Sequence, residues 1–201
     1  MNLIVLVSII VAFLIGGIPF GYLLVKKYKK LDIRKIGSGN IGSTNVRRAA
    51  GAALSKITQG LDILKGVIPV AAVLVLSRHI RIGIEESMLW SATAFAAILG
   101  HDFTPYLGFR GGKGVNTTIG AFLLLAPIPV LGGISIFYLL GLVTPIVSIR
   151  SLALGISIPI LATLLKMPEA IILASCLASL MLFLRHYDNI KRLFSGTELR
   201  P

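Results

Sequence analysis

Long apolar runs alternate with short basic segments along this chain of 201 residues, and that alternation restricts the fold more than any motif does. A bilayer crossing needs about 20 mostly apolar residues at about 1.5 Å of rise each. Residues 3–25 meet that requirement first, interrupted only by Gly16, Gly17 and Pro19. A secretory leader is the competing reading. It is opposed because no Lys or Arg precedes the run, the run is too long, and the positive charges follow it. Residues 57–77 form the second expected span, and the amphiphilic stretch Arg78 to Glu86 leads to a third at 87–103, ending near His101. Residues 115–149 are long enough for two short spans, with the Pro127–Gly133 stretch as the turn between them. Residues 151–166 and 169–185 supply the last two. The expectation is an all-α integral membrane protein: a compact bundle of seven transmembrane helices, in one domain covering 1–201.

Charge sets the orientation. Only 14% of the residues are charged, where a water-soluble domain carries roughly a quarter. Lys and Arg number 20 against eight Asp and Glu, a net charge of +12. With the N-terminus outside and the C-terminus cytoplasmic, the inner segments are 26–56, 104–114, 149–151 and 185–201, and they hold 16 of the 20 basic residues. The outer loops keep Arg78, Arg81 and Lys166, and Lys65 lies inside a span. Positive residues on the cytoplasmic side are the rule for membrane proteins. Anionic head groups and phosphorylated substrates are therefore the expected partners, and nucleic acid is not. Cys176 is the sole cysteine, so there is no disulfide framework, and no Cys/His cluster has the spacing of a metal site.

The first inner segment contains Gly37-Ser38-Gly39-Asn40-Ile41-Gly42-Ser43-Thr44-Asn45-Val46-Arg47-Arg48. Its opening matches GxGxxG, with Asp62 twenty residues after Gly42. A dinucleotide site needs a strand before those glycines, and here a lysine-rich exit from an apolar run stands there instead. What remains is a loop whose glycines let backbone N–H groups converge beside hydroxyls, carboxamides and paired arginines. That set suits a phosphate monoester. A flexible loop whose arginines meet lipid head groups is the alternative.

The second segment, Gly108-Phe109-Arg110-Gly111-Gly112-Lys113-Gly114-Val115-Asn116-Thr117-Thr118, imitates a nucleotide-binding P-loop. The spacing is too short, and Gly114 stands where a magnesium-binding Ser or Thr belongs. The glycines could let the backbone approach an anion, with Lys113 as a point charge at a helix N-terminus. A turn with a snorkelling lysine is the plainer reading. Asp62 and Lys65, three apart, share a helix face about 10 to 15 Å along the span from Ser55. Ionisable groups at that depth are costly and face the bundle interior, so a structural pair supporting the site is expected. In the third segment, Arg185-His186-Tyr187-Asp188-Asn189, His186 and Asn189 would point the same way from a helix end. Ser148 and Ser151 bracket Arg150 in a further inner turn, while His79 and His101 sit in no pattern that assigns them work.

The motifs GSGNIGSTNVRR, LDILKG, HDFTPYLGFRGGKGVNTT and RHYDNIKRLFSGTE, in this order and nearly end to end, closely resemble the PlsY family of bacterial acyl-phosphate:glycerol-3-phosphate acyltransferases. The resemblance implies a seven-span enzyme of the bacterial inner membrane with its active site on the cytoplasmic side. Such enzymes transfer a fatty acyl group from acyl phosphate to the 1-hydroxyl of glycerol 3-phosphate. They release lysophosphatidic acid and inorganic phosphate as the first step of phospholipid synthesis. Carried over, the family's motifs make Lys113, Arg47, His186, Asn189 and Ser151 the catalytic candidates. Gly37, Ser38, Gly39, Asn40, Gly42, Thr44, Asn45, Gly111, Gly112 and Gly114 become the substrate- and phosphate-binding set, with Asp62 and Lys65 as structural support. The chain departs from the pattern at Asn116, where many relatives have a small apolar residue. The implied partners are the two substrates and membrane lipids, with no cofactor and no metal; no oligomeric state is implied.

That chemistry fits the residue types. Two glycine-rich basic loops can hold two phosphates, and the spans can hold an acyl chain. No GxSxG elbow is present, and five residues past His79, His101 and His186 stand Ile84, Tyr106 and Lys191, so there is no HxxxxD pair. Direct attack by the glycerol hydroxyl on the acyl carbonyl is the expected route, with Lys113 and Arg47 stabilising developing charge. A transporter for a phosphorylated solute would spread polar groups through the midplane and repeat one half of its sequence; here the polar groups collect at one face. A lipid-binding scaffold would leave the three polar segments without a common purpose.

Overall fold

The computed structural model describes residues 3–80 and 83–200. Arg81, counted above among the outer charges, lies outside the described residues, as does part of the Arg78–Glu86 stretch. Among the described residues every regular element is helical: α1 Leu3–Gly17, α2 Phe20–Lys29, α3 Ser43–Ala50, α4 Ala52–His79, α5 Glu86–Asp102, α6 Val115–Leu123, α7 Pro127–Leu140, α8 Val147–Leu164, α9 Glu169–Arg185 and α10 Tyr187–Phe194, with 3₁₀ turns at Ile33–Lys35 and Pro105–Leu107. Among the described residues three helical stretches are long and apolar enough to cross a membrane: Leu3–Lys29, Ala52–His79 and Val147–Leu164. Taken as one span, α9 and α10, bent by 56°, make a fourth.

Several boundaries differ from the sequence reading, each for a local reason. The first span breaks at Ile18 and Pro19, because proline lacks an N–H and turns the residue before it out of helical geometry. The 115–149 region holds two short helices, α6 and α7. α6 has nine residues, about 13 Å of helix, well short of a hydrocarbon core of about 30 Å. The turn lies at residues 124–126, and Pro127–Gly133 opens α7 instead of forming it. Proline is favoured in a first helical turn, where its missing N–H would have no partner anyway. Gly133 then lets α7 pack against Leu154 and Ser157 of α8. Ser148, Arg150 and Ser151, expected in a turn, belong to the opening of α8.

The helices are apolar both inside and outside, unlike those of a water-soluble bundle. Val70, Ile98, Phe122, Val130, Leu154 and Ile158 form one central apolar cluster. Rows of exposed leucine, isoleucine and valine, such as Leu6, Val7, Ile10 and Leu14 on α1, cover the outside. Glycine sets the closest crossings. A Cβ on Gly16 or Gly100 would overlap the backbone of the partner helix at α1–α5, and one on Gly66 or Gly120 would do so at α4–α6. Small residues at such crossings are how membrane helices approach closely.

The expected ion pair is present inside this packing. Lys65 Nζ lies 2.9 Å from Asp62 Oδ1, both side chains being 2–3% exposed. The same amine donates at 2.9 Å to the carbonyl of Ile18, in the break between α1 and α2. Lys65→Met leaves a buried carboxylate alone and is expected to cost about 3–5 kcal/mol, whereas replacing both partners by apolar residues is expected to cost less. Thermal unfolding of the two variants in one detergent checks the order.

Candidate active site

The first glycine-rich loop is folded by Asn45. From α3 its side-chain amide donates to the carbonyls of Ile36 and Asn40, each at 2.9 Å, and its Oδ1 accepts from the Ser38 N–H at 3.2 Å. Asn40 Oδ1 accepts from the Gly42 N–H at 2.9 Å, and the Gly39 N–H donates to Ile36 at 2.9 Å. Gly37 and Gly39 adopt left-handed geometry, with φ of 56° and 69°. The N–H groups of Ser38, Gly39, Asn40 and Gly42 are thus engaged within the loop. They are not the convergent donors the sequence suggested. The donors left are those at the start of α3: the N–H groups of Ser43 and Thr44 have no partner among the described residues.

The second loop is held the same way. Gly111 and Gly112 donate to the carbonyls of Asp102 and His101 at 3.2 and 2.9 Å. Their own carbonyls accept from the Arg185 guanidinium at 3.1 and 2.9 Å, which also lies over the Phe103 ring. A Cβ on Gly112 would fall within the His101 imidazole. These glycines therefore permit close packing on α5 rather than contact with an anion. Gly114, at φ 71°, starts α6 without a side-chain cap, and the first N–H groups of that helix have no partner among the described residues. Asn116 Nδ2 donates to Ser43 Oγ at 3.1 Å, so the starts of α3 and α6 lie side by side. Unsatisfied N–H groups and the helix dipole make such ends attractive to anions.

Lys113 is the residue this loop presents. Its amine bonds to Asn189 Oδ1. Burial pulls its pKa down from the usual 10.5 to about 8, with Arg192 and Arg48 adding repulsion and Glu198 opposing both. Asn189, buried on α10, donates through its Nδ2 to Glu198 Oε1. Glu198 also accepts from Ser148 Oγ at 3.0 Å and from Arg192 Nε at 2.8 Å. Burial alone would raise the Glu198 pKa, but the bonds from Asn189, Arg192 and Ser148 hold it below the ordinary value. His186 faces the Leu182 carbonyl through Nδ1 at 2.8 Å. A carbonyl only accepts, so Nδ1 carries the hydrogen and a neutral ring leaves Nε2 as the acceptor.

These groups enclose one cavity of about 300 Å³. From the first loop and α3 come Ser38, Asn40, Gly42, Thr44, Asn45 and Arg47; from α4, Gln59 and Asp62; from the second loop, Lys113 and Gly114. Ser148 and Ser151 of α8, then His186, Asn189 and Glu198, complete the polar wall, with Phe137 and Tyr138 of α7 as an apolar edge. The Arg47 guanidinium has no hydrogen bond or ion pair among the described residues, and the residue lines the cavity. Gly37, Gly39, Gly111 and Gly112 do not line it. Three residues take roles the sequence did not indicate: His101, lining the cavity 3.8 Å from Asp62; Arg185, clamping the second loop; and Arg48, expected beside Arg47 as a phosphate donor, which instead donates to the carbonyls of Leu199 and Arg200 and ties the tail to α3. The signal for the tail was Glu198, the only acidic residue after Asp188.

Comparison with known proteins agrees with this architecture. Residues 6–196 match the family model described as glycerol-3-phosphate acyltransferase. A glycerol-3-phosphate acyltransferase of Clostridium acetobutylicum is 51% identical over 196 residues, covering 98% of this chain and 99% of the relative. One from Syntrophotalea carbinolica is 40% identical, covering 96% of each chain. The crystal structure of PlsY (YgiH), an integral membrane glycerol 3-phosphate acyltransferase, superposes in its glycerol 3-phosphate form with a TM-score of 0.89 and 33% identity, covering 98% of this chain and 95% of that one. Its lysophosphatidic acid form gives 0.86, covering 98% and 94%. An all-helical membrane fold around one basic polar cavity thus defines a membrane-embedded acyltransferase. The chain belongs to the glycerol-3-phosphate acyltransferase family, PlsY.

The Glu198 cluster has a measurable consequence. Because its carboxyl is held below the ordinary value of 4.5, the stabilisation is present above that value and is lost as the pH falls below it. Glu198→Gln is expected to flatten the acid side of a plot of melting temperature against pH. Glu198→Ala, leaving Asn189, Ser148 and Arg192 without their acceptor, is expected to cost about 1–3 kcal/mol at neutral pH.

Proposed function

We propose that this protein transfers a fatty acyl group from acyl phosphate to the 1-hydroxyl of glycerol 3-phosphate. It thereby forms lysophosphatidic acid and inorganic phosphate as the first step of phospholipid synthesis. The observation that carries the reading is the meeting of Arg47, Lys113, Asn189 and two uncapped helix starts in one cavity beside apolar helix faces. Cations and free N–H groups suit two phosphates, and the Phe137–Tyr138 edge suits the head of an acyl chain.

The glycerol oxygen attacks the acyl carbonyl, forming the new C–O bond. The bond from that carbonyl carbon to the phosphate oxygen breaks, and the hydroxyl proton goes to the departing phosphate. Arg47 and Lys113 stabilise the charge that grows on the leaving phosphate and on the carbonyl oxygen. His186, with Nδ1 held by Leu182, accepts through Nε2 from the 2-hydroxyl of glycerol 3-phosphate and so orients the substrate, leaving the proton of the attacking 1-hydroxyl to the phosphate. Asn189 and Ser151 orient glycerol 3-phosphate, and Ser38 and Thr44 add hydroxyl contacts. Asn45, Gly37, Gly39, Gly111 and Gly112 act by shaping the loops, and Asp62 and Lys65 by supporting the floor. Proximity of the two bound substrates is the largest available rate advantage.

In this reading residues 1–201 form a single acyltransferase domain of the bacterial inner membrane, with seven passes, N-terminus outside and C-terminus cytoplasmic. The short α6 and α7, joined by three residues, return the chain to the face it left. The parity of the other crossings, and with it the cytoplasmic side of the cavity, is the same however deep that hairpin reaches. The basic residues of segments 26–56, 104–114 and 185–201 support that side.

Incubating the purified protein with acyl phosphate and labelled glycerol 3-phosphate should give labelled lysophosphatidic acid; flux of label without product, or binding alone, would overturn the reading. Arg47→Ala and Lys113→Ala should each lower kcat/KM by about 10² to 10³. With a Lys113 pKa of about 8, activity should fall as the pH rises through that value and the amine loses its charge. In Lys113→Arg, whatever activity remains should keep its alkaline limb to higher pH, because guanidinium stays protonated.

A further inference from the structure

α2 leaves the apolar part of its span as Leu23-Leu24-Val25-Lys26-Lys27-Tyr28-Lys29-Lys30. Leu23, Lys26 and Lys27 are spaced i, i+3 and i+4 on one helix face, and Lys30, which caps the helix, lies beside them. Together they border a shallow, open depression on the surface, apart from the cavity described above, and all four are exposed. Lys30 ends the helix in left-handed geometry, φ 58°, where glycine would be the unstrained residue. None of the three lysines forms an ion pair among the described residues. Asp32, the nearest carboxylate in sequence, is taken by Arg34 at 2.7 Å. Aromatic rings lie beside two of them instead: Lys26 lies over Tyr22 and Lys27 over Tyr28, each at 5.4 Å.

We propose that this face of α2 binds the head group of an anionic phospholipid. The phosphate sits among Lys26, Lys27 and Lys30, and the acyl chains run along Leu23 toward the outward apolar row of α1. The junction of an apolar helix face with unneutralised lysines favours a lipid over an acidic protein. Leu23 and the row above it belong to a stretch apolar enough to lie within the bilayer, where no water-soluble partner reaches. Each lysine near a membrane surface adds to the attraction for acidic lipid. This binding site is independent of the reading of the cavity.

The test uses the full chain in phosphatidylcholine nanodiscs, titrated with phosphatidylglycerol while protein-bound lipid is counted by native mass spectrometry. Lys26, Lys27 and Lys30 are changed together to Gln. A control triple, Lys56, Lys166 and Lys191 to Gln, removes the same charge elsewhere. Circular dichroism confirms that both triples are helical. The expected result is a phosphatidylglycerol affinity at least about tenfold weaker in the first triple and within about twofold of the parent in the control. Equal affinity in the first triple, equal loss in both, or competition by inorganic phosphate alone as strong as that of the lipid would each overturn the proposal.

Discussion

Backbone polar groups taken out of water must find partners within the protein, and the two loops and the tail at the cavity are shaped by that requirement. The helices settle the matter internally. The loops at the cavity cannot, so side chains are recruited to do it. Asn45 bonds to the backbone at four residues of the first loop, Arg185 holds two carbonyls of the second, and Arg48 holds two of the tail. Three of the most polar residues in the chain are therefore scaffolding. Their neighbours Arg47 and Lys113 are thereby left to meet whatever enters.

The residues that face the cavity are also mutually arranged. Lys113, Asn189 and Glu198 form a continuous chain of bonds joining the second loop to α10 and the tail, and Asn116 with Ser43 joins the second loop to the first. An amide has one accepting and one donating end, so the carboxylate on one side of Asn189 dictates that its oxygen turns to the lysine. Groups fixed in this way need little rearrangement when charge develops nearby, which is where preorganised sites gain most.

Much of this was legible in the sequence. Apolar length showed the helical membrane architecture, and spacing alone predicted the Asp62–Lys65 pair, because i, i+3 geometry on a helix is fixed before any tertiary contact exists. The three polar segments expected to meet do line one cavity. The role of the glycines was not legible. Gly111 and Gly112 look like anion-binding residues until α5 is laid beneath them, and only then do they become spacers over His101. Arg185, Arg48 and Glu198 act across 73 residues or more in the first case, over 150 in the second and 50 to Ser148 in the third. No pattern read along a chain carries such contacts. The misplaced turn at Pro127 had a different cause: proline marks both turns and helix starts, and only the packing of α7 on α8 decides between them.

The Asp62–Lys65 pair lies within a single helix, and that placement bears on how the protein is made. Two opposite charges on neighbouring helices would each have to enter lipid alone and find the other afterwards. Here both are carried by α4 and can neutralise each other within one turn, so the segment presents the insertion machinery with a zwitterion of no net charge. Partition of α4 into the bilayer then need not wait for α1, and the bond from Lys65 to Ile18 becomes a later assembly step, formed once the broken first span docks.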